Sequence, residues 1–495
     1  MIDAMVSGLL MAFQPDLLVG MLIVVPIGVI VGIIPGLGGL ILLALMLPIL
    51  FHLDPALGLA LLMAGLAVTE QGGAVSAILI NVPGIGSSTA TLVDGFPMAQ
   101  QGRAGEALGA AEMSSLLGGI FGAVLLMAFI PIIIPLLLAI GAPEIFFVIL
   151  LGLSFIIVLS KTSLVKGLIS GLLGLLFAFV GFSGLTAVGR FGFGSTYLLT
   201  GVGIIPLVMG LFAIPEVLEL AAKGAAIAKL PPGSAKITGV MKGVKETFRH
   251  WRLVLRGSAI GTIVGAIPGV GATPAVWIAY GQAKQTSKHP ELFGTGCIEG
   301  VIAPESANNA KEGGGLMPTL AFGIPGSPAF AIILGAFLVM GLQPGPMFLK
   351  EHLDLAFMLV SVLVVSNIIA TSFCLGLARL LARITLIRGH LLAPLILIFV
   401  IIGAYAYHGE ILDVCATLLF GVLGVFMTKC GYNKPATIVA FVLGGIAEKY
   451  LSISLGSYGG LFFVRPISLL VLMVIILLFS SGLIKRLLSA WRSRR

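Results

Sequence analysis

GVIVGIIPGLGG, residues 28–39, is the stretch that decides the fold, because a near copy, GTIVGAIPGVGA, occupies residues 261–272. The glycines and the proline of the two copies correspond at a constant offset of 233 residues. Each copy begins as an apolar helix with glycines four apart and runs into a Pro-Gly-x-Gly segment that a helix cannot continue. The sequence therefore predicts two apolar helices that are interrupted at equivalent points.

The composition around these helices is that of a membrane protein. Of the 495 residues, 58% are hydrophobic and 10% are charged, and the mean hydropathy is +1.16. Soluble domains carry roughly 25% charged residues. Apolar runs follow one another closely, and a bilayer-spanning helix needs about 20 residues, so we predict an all-α polytopic membrane protein with about a dozen transmembrane segments. Short alternating strands, as in a membrane β-barrel, are not visible in the sequence.

The net charge of +8 is concentrated in two places rather than spread over a surface that would bind nucleic acid. No Lys or Arg precedes Arg103, whereas eight lie in residues 223–256 and five in residues 485–495. Basic residues collect in cytoplasmic loops of membrane proteins. We therefore predict that the long polar interval, with its hinge at residues 231–233, and the C-terminus are both cytoplasmic.

A second motif is also repeated. In EQGGAVSAILINVPG, residues 70–84, the acidic residue, the Gly-Gly pair and the Pro-Gly pair recur in residues 312–326 at an offset of 242. Two motifs that recur in the same order indicate an internal duplication. We predict a first membrane repeat at residues 1–215, a basic cytoplasmic linker at 216–256 and a second repeat at 257–495. An inverted relation between the repeats is favoured by analogy with secondary carriers, and a parallel relation stays open.

Four Pro-Gly pairs therefore interrupt apolar segments, as broken helices or as re-entrant hairpins. Non-helical backbone at membrane depth is tolerated only where it is buried in protein or lines a water-filled cavity. A break exposes helix N-termini, which favour anions, and C-terminal carbonyls, which favour cations. We predict that the breaks and neighbouring neutral polar residues bind substrate, or Na⁺ at the same loops: Pro35, Gly36, Gly38, Asn81, Pro83, Gly84, Ser87, Ser88, Thr89, Pro268, Gly269, Gly271, Thr273, Asn308, Asn309, Pro325, Gly326 and Ser327.

Less specific interpretations stand beside these. Glycines four apart are typical of close helix packing, and Pro-Gly pairs also occur in ordinary turns. The cluster of Glu305, Asn308 and Asn309 is compatible with a solvated loop, since Lys311 and Glu312 adjoin it. Asp94 suits a turn or cap as well as a proton carrier. Other ionisable residues in apolar runs are functional candidates or interfacial residues: Glu70, Glu112 and Glu144.

Several classes are disfavoured by missing signatures. The four cysteines have no CxxC spacing and do not combine with the six histidines into a metal-site pattern. The sequence contains no GxSxG, HExxH or GxxxxGK[ST] motif, so we predict neither an enzyme nor an ATP-driven pump. Residues 1–16 lack the basic segment of a signal peptide and are expected to form a short interfacial helix. Secondary transport is the class that these features favour.

The chain also resembles a known family in several long motifs. They are VGIIPGLGG at residues 31–39, AILINVPG at 77–84, DGFPMAQQGRAGEALG at 94–109, GTIVGAIPGVGAT at 261–273, EGVIAPESANNAKEGG at 299–314 and PTLAFGIPGS at 318–327. These segments are similar to those of the large membrane subunit of tripartite tricarboxylate transporters, in the same order and over essentially the whole chain. One difference is the sequence before the first Gly-Gly pair, Thr69-Glu70-Gln71, where family members often have an aromatic and a small residue.

The resemblance implies a bacterial cytoplasmic-membrane carrier that imports citrate-like or other carboxylates and is driven by a cation gradient of Na⁺ or H⁺. It implies three partners besides the lipid bilayer: a small four-helix membrane subunit, a periplasmic solute-binding protein and the carboxylate substrate. No cofactor is expected. The Pro-Gly segments and Asn308-Asn309 match the most characteristic positions of the family, which implies that they contact substrate or ion.

We therefore interpret the chain as the membrane subunit of a binding-protein-dependent secondary transporter that works by alternating access. A stand-alone carboxylate carrier is the nearest alternative, and a passive channel or an integral-membrane enzyme is less favoured. On this interpretation, the first pair of Pro-Gly segments and the second pair should converge on one central site.

Overall fold

The computed structural model describes residues 1–34, 36–138, 140–158, 163–183, 186, 188–222, 237–384 and 389–492. Helices account for nearly all regular structure in this part of the chain. Up to residue 222 they are α1 (Ile2–Met11), α2 (Pro15–Ile33), α3 (Gly39–Leu50), α4 (Pro55–Ile80), a 3₁₀ turn (Gly86–Ser88), α5 (Thr89–Gln100), α6 (Ala104–Leu138), α7 (Ala142–Val158), α8 (Leu164–Ala178), α9 (Thr196–Leu199), α10 (Ile204–Val208), a π turn (Met209–Ala213) and α11 (Ile214–Ala222). A two-stranded antiparallel sheet, β1 (Gly181–Phe182) with β2 (Gly189–Arg190), follows α8.

The second part of the chain is also helical. Its helices are α12 (Val240–Arg249), α13 (Trp251–Gly265), α14 (Ala272–Thr286), a 3₁₀ turn (Pro290–Leu292), α15 (Glu299–Phe322), α16 (Pro328–Val339), α17 (Pro346–Glu351), α18 (Leu353–Ile384, kinked at Leu377), α19 (Gly389–His408), α20 (Ile411–Cys430), α21 (Lys434–Tyr458), a 3₁₀ turn (Gly459–Val464) and α22 (Pro466–Arg492).

Helix length and hydropathy fit a bilayer. Within the described residues, seven helical segments of at least 18 residues are apolar enough to cross a membrane, and seven further apolar helices have 10–17 residues. Outward-facing aliphatic side chains such as Leu22 on α2 and Val422 on α20 are 59% and 71% exposed, which suits contact with lipid. The prediction of an all-α polytopic membrane fold is confirmed.

The glycine-bearing helices pack against each other's backbones. On α2, a methyl group added to Gly32 would lie 2.0 Å from the Thr69 carbonyl oxygen of α4, and one added to Gly72 would lie 2.1 Å from that of Val29. No side chain larger than hydrogen fits at these points, because backbone atoms cannot give way as side-chain ends do. The glycines of α2 therefore allow close helix packing, as their spacing of four residues predicted.

The second half repeats this contact at equivalent positions. A methyl group on Gly265 of α13 would lie 2.4 Å from the Lys311 carbonyl oxygen of α15, and one on Gly314 would lie 2.1 Å from that of Thr262. These four residues follow the contact residues of the first half at the offsets of 233 and 242. The two helix pairs thus meet through matching backbone contacts.

The linker between the halves falls partly outside the described residues, which include neither 223–236 nor the expected hinge at 231–233. Its described residues belong to α11, α12 and the start of α13, and α12 packs on α6, where Gly243 approaches the Glu106 carbonyl oxygen. The predicted domain boundaries, the duplication and the inverted orientation stay predictions.

Candidate functional site

A cavity of about 1000 Å³ lies where segments from both halves of the chain meet. Residues at three of the Pro-Gly motifs (36–41, 83–87 and 269–274) and the residues that directly follow the fourth (327–329) contribute to its wall. Segments before the linker and near residue 435 complete the lining. Motifs separated by up to about three hundred residues therefore border one space.

Each motif lies between the end of one helix and the beginning of the next. α2 ends at Ile33 and α3 begins at Gly39, and the equivalent α13 and α14 are separated at the same position. Between them, Gly36 and Gly269 have φ values of 93° and 78°. Residues with side chains rarely adopt this left-handed backbone, so glycine is required at both breaks.

The interrupted segments also contact each other. The Gly269 N–H donates a hydrogen bond of 3.1 Å to the Gly326 carbonyl oxygen, which joins the two breaks of the second half. In the first half, a methyl group on Gly84 would lie 2.2 Å from the Gly32 carbonyl oxygen, so the two breaks are in close backbone contact there as well.

Four helices begin at the cavity wall. The first residues of α3, α14, α16 and α21 all line it, beside their N-cap residues Gly38, Gly271, Ser327 and Asn433. Free N–H groups and the helix dipole make such ends favourable for negative charge. The arrangement resembles an anion cradle built from backbone.

Lys311 is the charged residue that reaches this wall from α15, and its side chain is only 4% exposed. Its Nζ lies 2.5 Å from Glu312 Oε1 and 3.3 Å from Glu70 Oε1. Glu70 and Glu312 are equivalent positions of the two repeated motifs. The ammonium group therefore lies between matching carboxylates from α4 and α15, and Ser87 donates a hydrogen bond to Glu70.

Other ionisable residues share the wall. Glu216 and Glu219 reach it from α11, and Lys434 reaches it from the start of α21, where its Nζ also lies 5.3 Å from the centre of the Phe212 ring. The cavity thus combines helix N-termini and ammonium groups with three carboxylates.

The structure separates the predicted site residues into two groups. Those that line the cavity are Gly36, Gly38, Pro83, Gly84, Ser87, Gly269, Gly271, Thr273 and Ser327. Those that do not line it are Asn81, Ser88, Thr89, Pro268, Asn308, Asn309, Pro325 and Gly326. Pro35 lies outside the described residues. The role of every one of these residues as a substrate or ion contact stays a prediction.

The predicted site residues that do not line the cavity lie in other parts of the structure. Asn81 is exposed and ends α4 in a left-handed conformation (φ 56°). Thr89 accepts a hydrogen bond of 3.0 Å from the Trp277 indole N–H. Asn308 and Asn309 are fully buried on α15, away from the cavity. The alternative that their cluster is a solvated loop is wrong, because α15 passes through the helical core.

Asp94 is hydrogen-bonded to a nearby loop and to Tyr280. Its Oδ1 accepts hydrogen bonds from the backbone N–H groups of Gly294, Gly296 and Cys297 at 2.8–3.0 Å, and its Oδ2 accepts one from the Tyr280 hydroxyl at 2.9 Å. Burial, with the Asp94 carboxylate beside it, raises the pKa of Tyr280. The carboxylate therefore anchors the loop before α15. Glu144 similarly accepts a hydrogen bond of 2.6 Å from Arg465.

The cavity residues that sequence reasoning missed are mostly charged: Lys311, Glu216, Glu219 and Lys434. One signal could have identified Lys311, namely an ammonium group within a glycine-rich, apolar membrane segment, which is a functional candidate by default. No local sequence pattern predicts that Glu216 or Lys434 lines a cavity. Both lie in the first turn of a helix, where charged residues are common.

Helices that stop and restart around a cavity bordered by charged side chains, inside an apolar bundle, are typical of a membrane transport protein. More specifically, the chain belongs to the tripartite tricarboxylate transporter TctA family, whose family model matches residues 18–439. This confirms the family resemblance of the sequence motifs.

Two relatives from Agrobacterium vitis are similar to this chain. One, described as an uncharacterized 52.8 kDa protein in the TAR-I ttuC' 3' region, is 35% identical over 457 residues, which cover 90% of this chain and 89% of the relative. The other, an uncharacterized protein in the TAR-II ttuC' 3' region, is 35% identical over 191 residues, covering 39% of this chain and 79% of the relative. No solved structure matches the chain.

Proposed function

We propose that this protein is the membrane transport subunit of a solute-binding-protein-dependent secondary transporter that imports tricarboxylates or related carboxylates. The observation that carries the proposal is one cavity of about 1000 Å³ that is bordered by segments at three of the Pro-Gly motifs and directly after the fourth. A small four-helix membrane subunit and a periplasmic binding protein complete the system, in a bacterial cytoplasmic membrane with the C-terminus of this chain in the cytoplasm.

The wall of the cavity has the chemistry that a carboxylate needs. The N-termini of α3, α14, α16 and α21 present backbone donors, and Lys434 adds an ammonium group. Ser87, Thr273 and Ser327 provide hydroxyl groups, and the Ser327 hydroxyl has no partner within the described residues. Neutral donors and dipoles can hold a carboxylate that must also be released, because they add no fixed buried charge.

The carboxylates in the same wall suit coupled transport. Because Glu70, Glu216 and Glu219 bring negative charge to the wall, an anion there needs nearby positive charge, from Lys311, Lys434 or a cation that binds with it. A carrier that binds a cation and an anion together satisfies this requirement, and the inward gradient of Na⁺ or H⁺ then drives uptake. Segments from both halves border the cavity, so a movement of one half against the other would expose it to each side in turn.

Reconstituted uptake tests this proposal directly. Proteoliposomes that contain this chain, its small membrane subunit and its binding protein should accumulate at least one carboxylate from a labelled panel of citrate, isocitrate, malate and succinate. Accumulation should stop when the Na⁺ and H⁺ gradients are both collapsed. Flux that persists without gradients would indicate a channel, and full activity without the binding protein would indicate a stand-alone carrier.

Ser327→Cys provides a residue-level prediction, in a background whose four native cysteines are alanine. We expect a small sulfonated thiol reagent to label this cysteine, because the side chain lines the cavity. The transported carboxylate at ten times its Kd should slow labelling about tenfold, because about a tenth of the sites stay free.

Ser366→Cys is the control, since Ser366 is also buried but lies on α18 outside the cavity. It should label slowly with and without carboxylate. Equal labelling of Ser327→Cys in the presence and absence of substrate would contradict the location of the binding site.

A further inference from the structure

A buried polar cluster lies between helices away from the cavity. α6, α15 and α18 turn polar side chains toward one another at spacings of three or four residues, which place them on one face of each helix. All are at least nine-tenths buried, as are Gln71 of α4 and Thr91 of α5 beside them: Glu112, Ser115, Glu305, Asn308, Asn309, Asn367 and Thr371.

Glu305 accepts more side-chain hydrogen bonds than the other carboxylate of this cluster. Its carboxylate accepts hydrogen bonds from Thr91 Oγ1 at 2.5 Å, Ser115 Oγ at 2.9 Å and Asn308 Nδ2 at 3.4 Å. It is nevertheless 0% exposed. Three donors from three helices stabilise negative charge at this point.

Glu112, in contrast, lacks such hydrogen-bond donors. It is 2% exposed, and apart from the weak thiol donor of Cys374 neither of its carboxyl oxygens has a hydrogen-bond partner within the described residues. A buried carboxylate without donors or a counter-ion is strongly disfavoured. This position therefore favours the binding of a proton or another cation.

Among the described side chains, no Lys or Arg forms an ion pair with Glu112 or Glu305. The Glu305 carboxylate of α15 disfavours charge on Glu112 of α6, and the other titratable groups that face the two residues are Cys374 of α18 and Glu70 of α4. Charged residues of the remaining packed helices are engaged or exposed elsewhere: Asp94 with Tyr280, Lys242 with Glu106, Arg256 with Thr286, Lys311 with Glu312, and the exposed Lys284, Lys350 and Glu351.

We propose that Glu112 and Glu305 form a proton site that couples the H⁺ gradient to carboxylate uptake. This inference rests on the proposed transport function and names its coupling ion. One proton from outside water adds to a carboxylate oxygen of the pair when substrate binds, and it leaves to inside water when substrate is released. No other atom or electron is exchanged in this step.

The pair is connected to the cavity by charge and by helix geometry. Glu70, which lines the cavity, is the carboxylate that acts on Glu305. On α15, Glu305 precedes Glu312 by seven residues, which is two turns or about 10 Å along the axis. Neutralising the pair lowers the negative potential at the cavity, so proton binding and anion binding favour each other reciprocally.

The donor geometry favours a proton over a metal ion. The Glu305 carboxylate accepts hydrogen bonds from two hydroxyl groups and from the amide nitrogen of Asn308, so a metal ion at its oxygens would have to displace these donors.

Glu112→Gln and Glu305→Gln test the proposal, because glutamine resembles the protonated acid but cannot release a proton. The probe is the panel carboxylate that wild type accumulates best. A pH difference of one unit, through one coupled proton, should give wild type about tenfold accumulation. Each variant should lose this accumulation and still exchange internal for external carboxylate at a rate within about twofold of wild type.

Glu106→Gln is the matched control, on the same helix and paired with Arg103 and Lys242; it should accumulate substrate like wild type. Retained accumulation in both test variants would overturn the proton site, as would loss of exchange equal to the loss of accumulation. Uptake driven by a Na⁺ gradient at equal pH, and not by a pH gradient, would also overturn it. Absence of any exchange by wild type would instead contradict the transport function.

Proton release and uptake by the purified complex provide a second readout. In weak buffer with a pH indicator, carboxylate binding to wild type and to Glu106→Gln should take up protons. The same binding to Glu305→Gln should take up none, and equal uptake by all three would contradict the assignment.

Discussion

Replacing Lys311 by methionine is expected to abolish carboxylate uptake and to destabilise the protein. The ammonium group lies 2.5 Å from Glu312 Oε1 and 3.3 Å from Glu70 Oε1, and the side chains of Lys311 and Glu312 are 4% and 2% exposed. Removing one member of a buried ion pair costs about 3–5 kcal/mol, because the remaining charge stays desolvated. Here two carboxylates would remain, and they would repel each other.

The measurements are thermal unfolding in detergent and uptake by proteoliposomes. We expect the melting temperature to fall and uptake to be lost, because removing the ammonium group leaves two desolvated carboxylates unpaired, one of them in the cavity wall. Lys242→Met is the control, because Lys242 is 64% exposed beside Glu106 and a pair with an exposed lysine contributes about 0–1 kcal/mol. Wild-type uptake and stability of Lys311→Met would contradict the role of this triad.

A double variant separates charge from shape. Adding Glu312→Gln to Lys311→Met removes one of the two uncompensated carboxylates, so part of the lost stability should return. If the double variant is as unstable as the sum of the two single variants, the two residues do not interact, and the ion-pair explanation fails.

Gly314→Ala is the second change with a large expected effect. The added methyl group would lie 2.1 Å from the Thr262 carbonyl oxygen and 2.9 Å from its carbon. Both are backbone atoms, so α13 and α15 must move apart, at a cost of about 1–3 kcal/mol or more. Because the breaks after both helices border the cavity, uptake should fall together with the thermal stability.

Gly281→Ala is the matched control on a neighbouring helix. A methyl group there meets nothing within 4 Å, and alanine stabilises a helix interior by up to about 1 kcal/mol relative to glycine. We therefore expect unchanged or slightly increased stability and normal uptake. Equal effects of the two substitutions would mean that the contact between α13 and α15 is not as close as described.

The class of this protein was predictable because its cause is local. A run of apolar residues long enough to span a bilayer needs no partner to be recognised, and Pro-Gly interrupts a helix whatever surrounds it. The glycine spacing likewise predicted the packing that Gly32 and Gly265 make. Long repeated motifs carried the family resemblance, and the family match confirms it.

What the sequence by itself determined is therefore the membrane class and the family. Only the tertiary structure decided which polar residues of α15 face the cavity. Asn308 and Lys311 are less than one turn apart, yet the asparagine is enclosed by neighbouring helices and the lysine reaches the cavity wall. The spacing of apolar and polar residues predicts the orientation of a helix that has one face in solvent. Because α15 is buried on all sides, its sequence does not show which face meets the cavity, and the helices packed around it determine where each side chain lies.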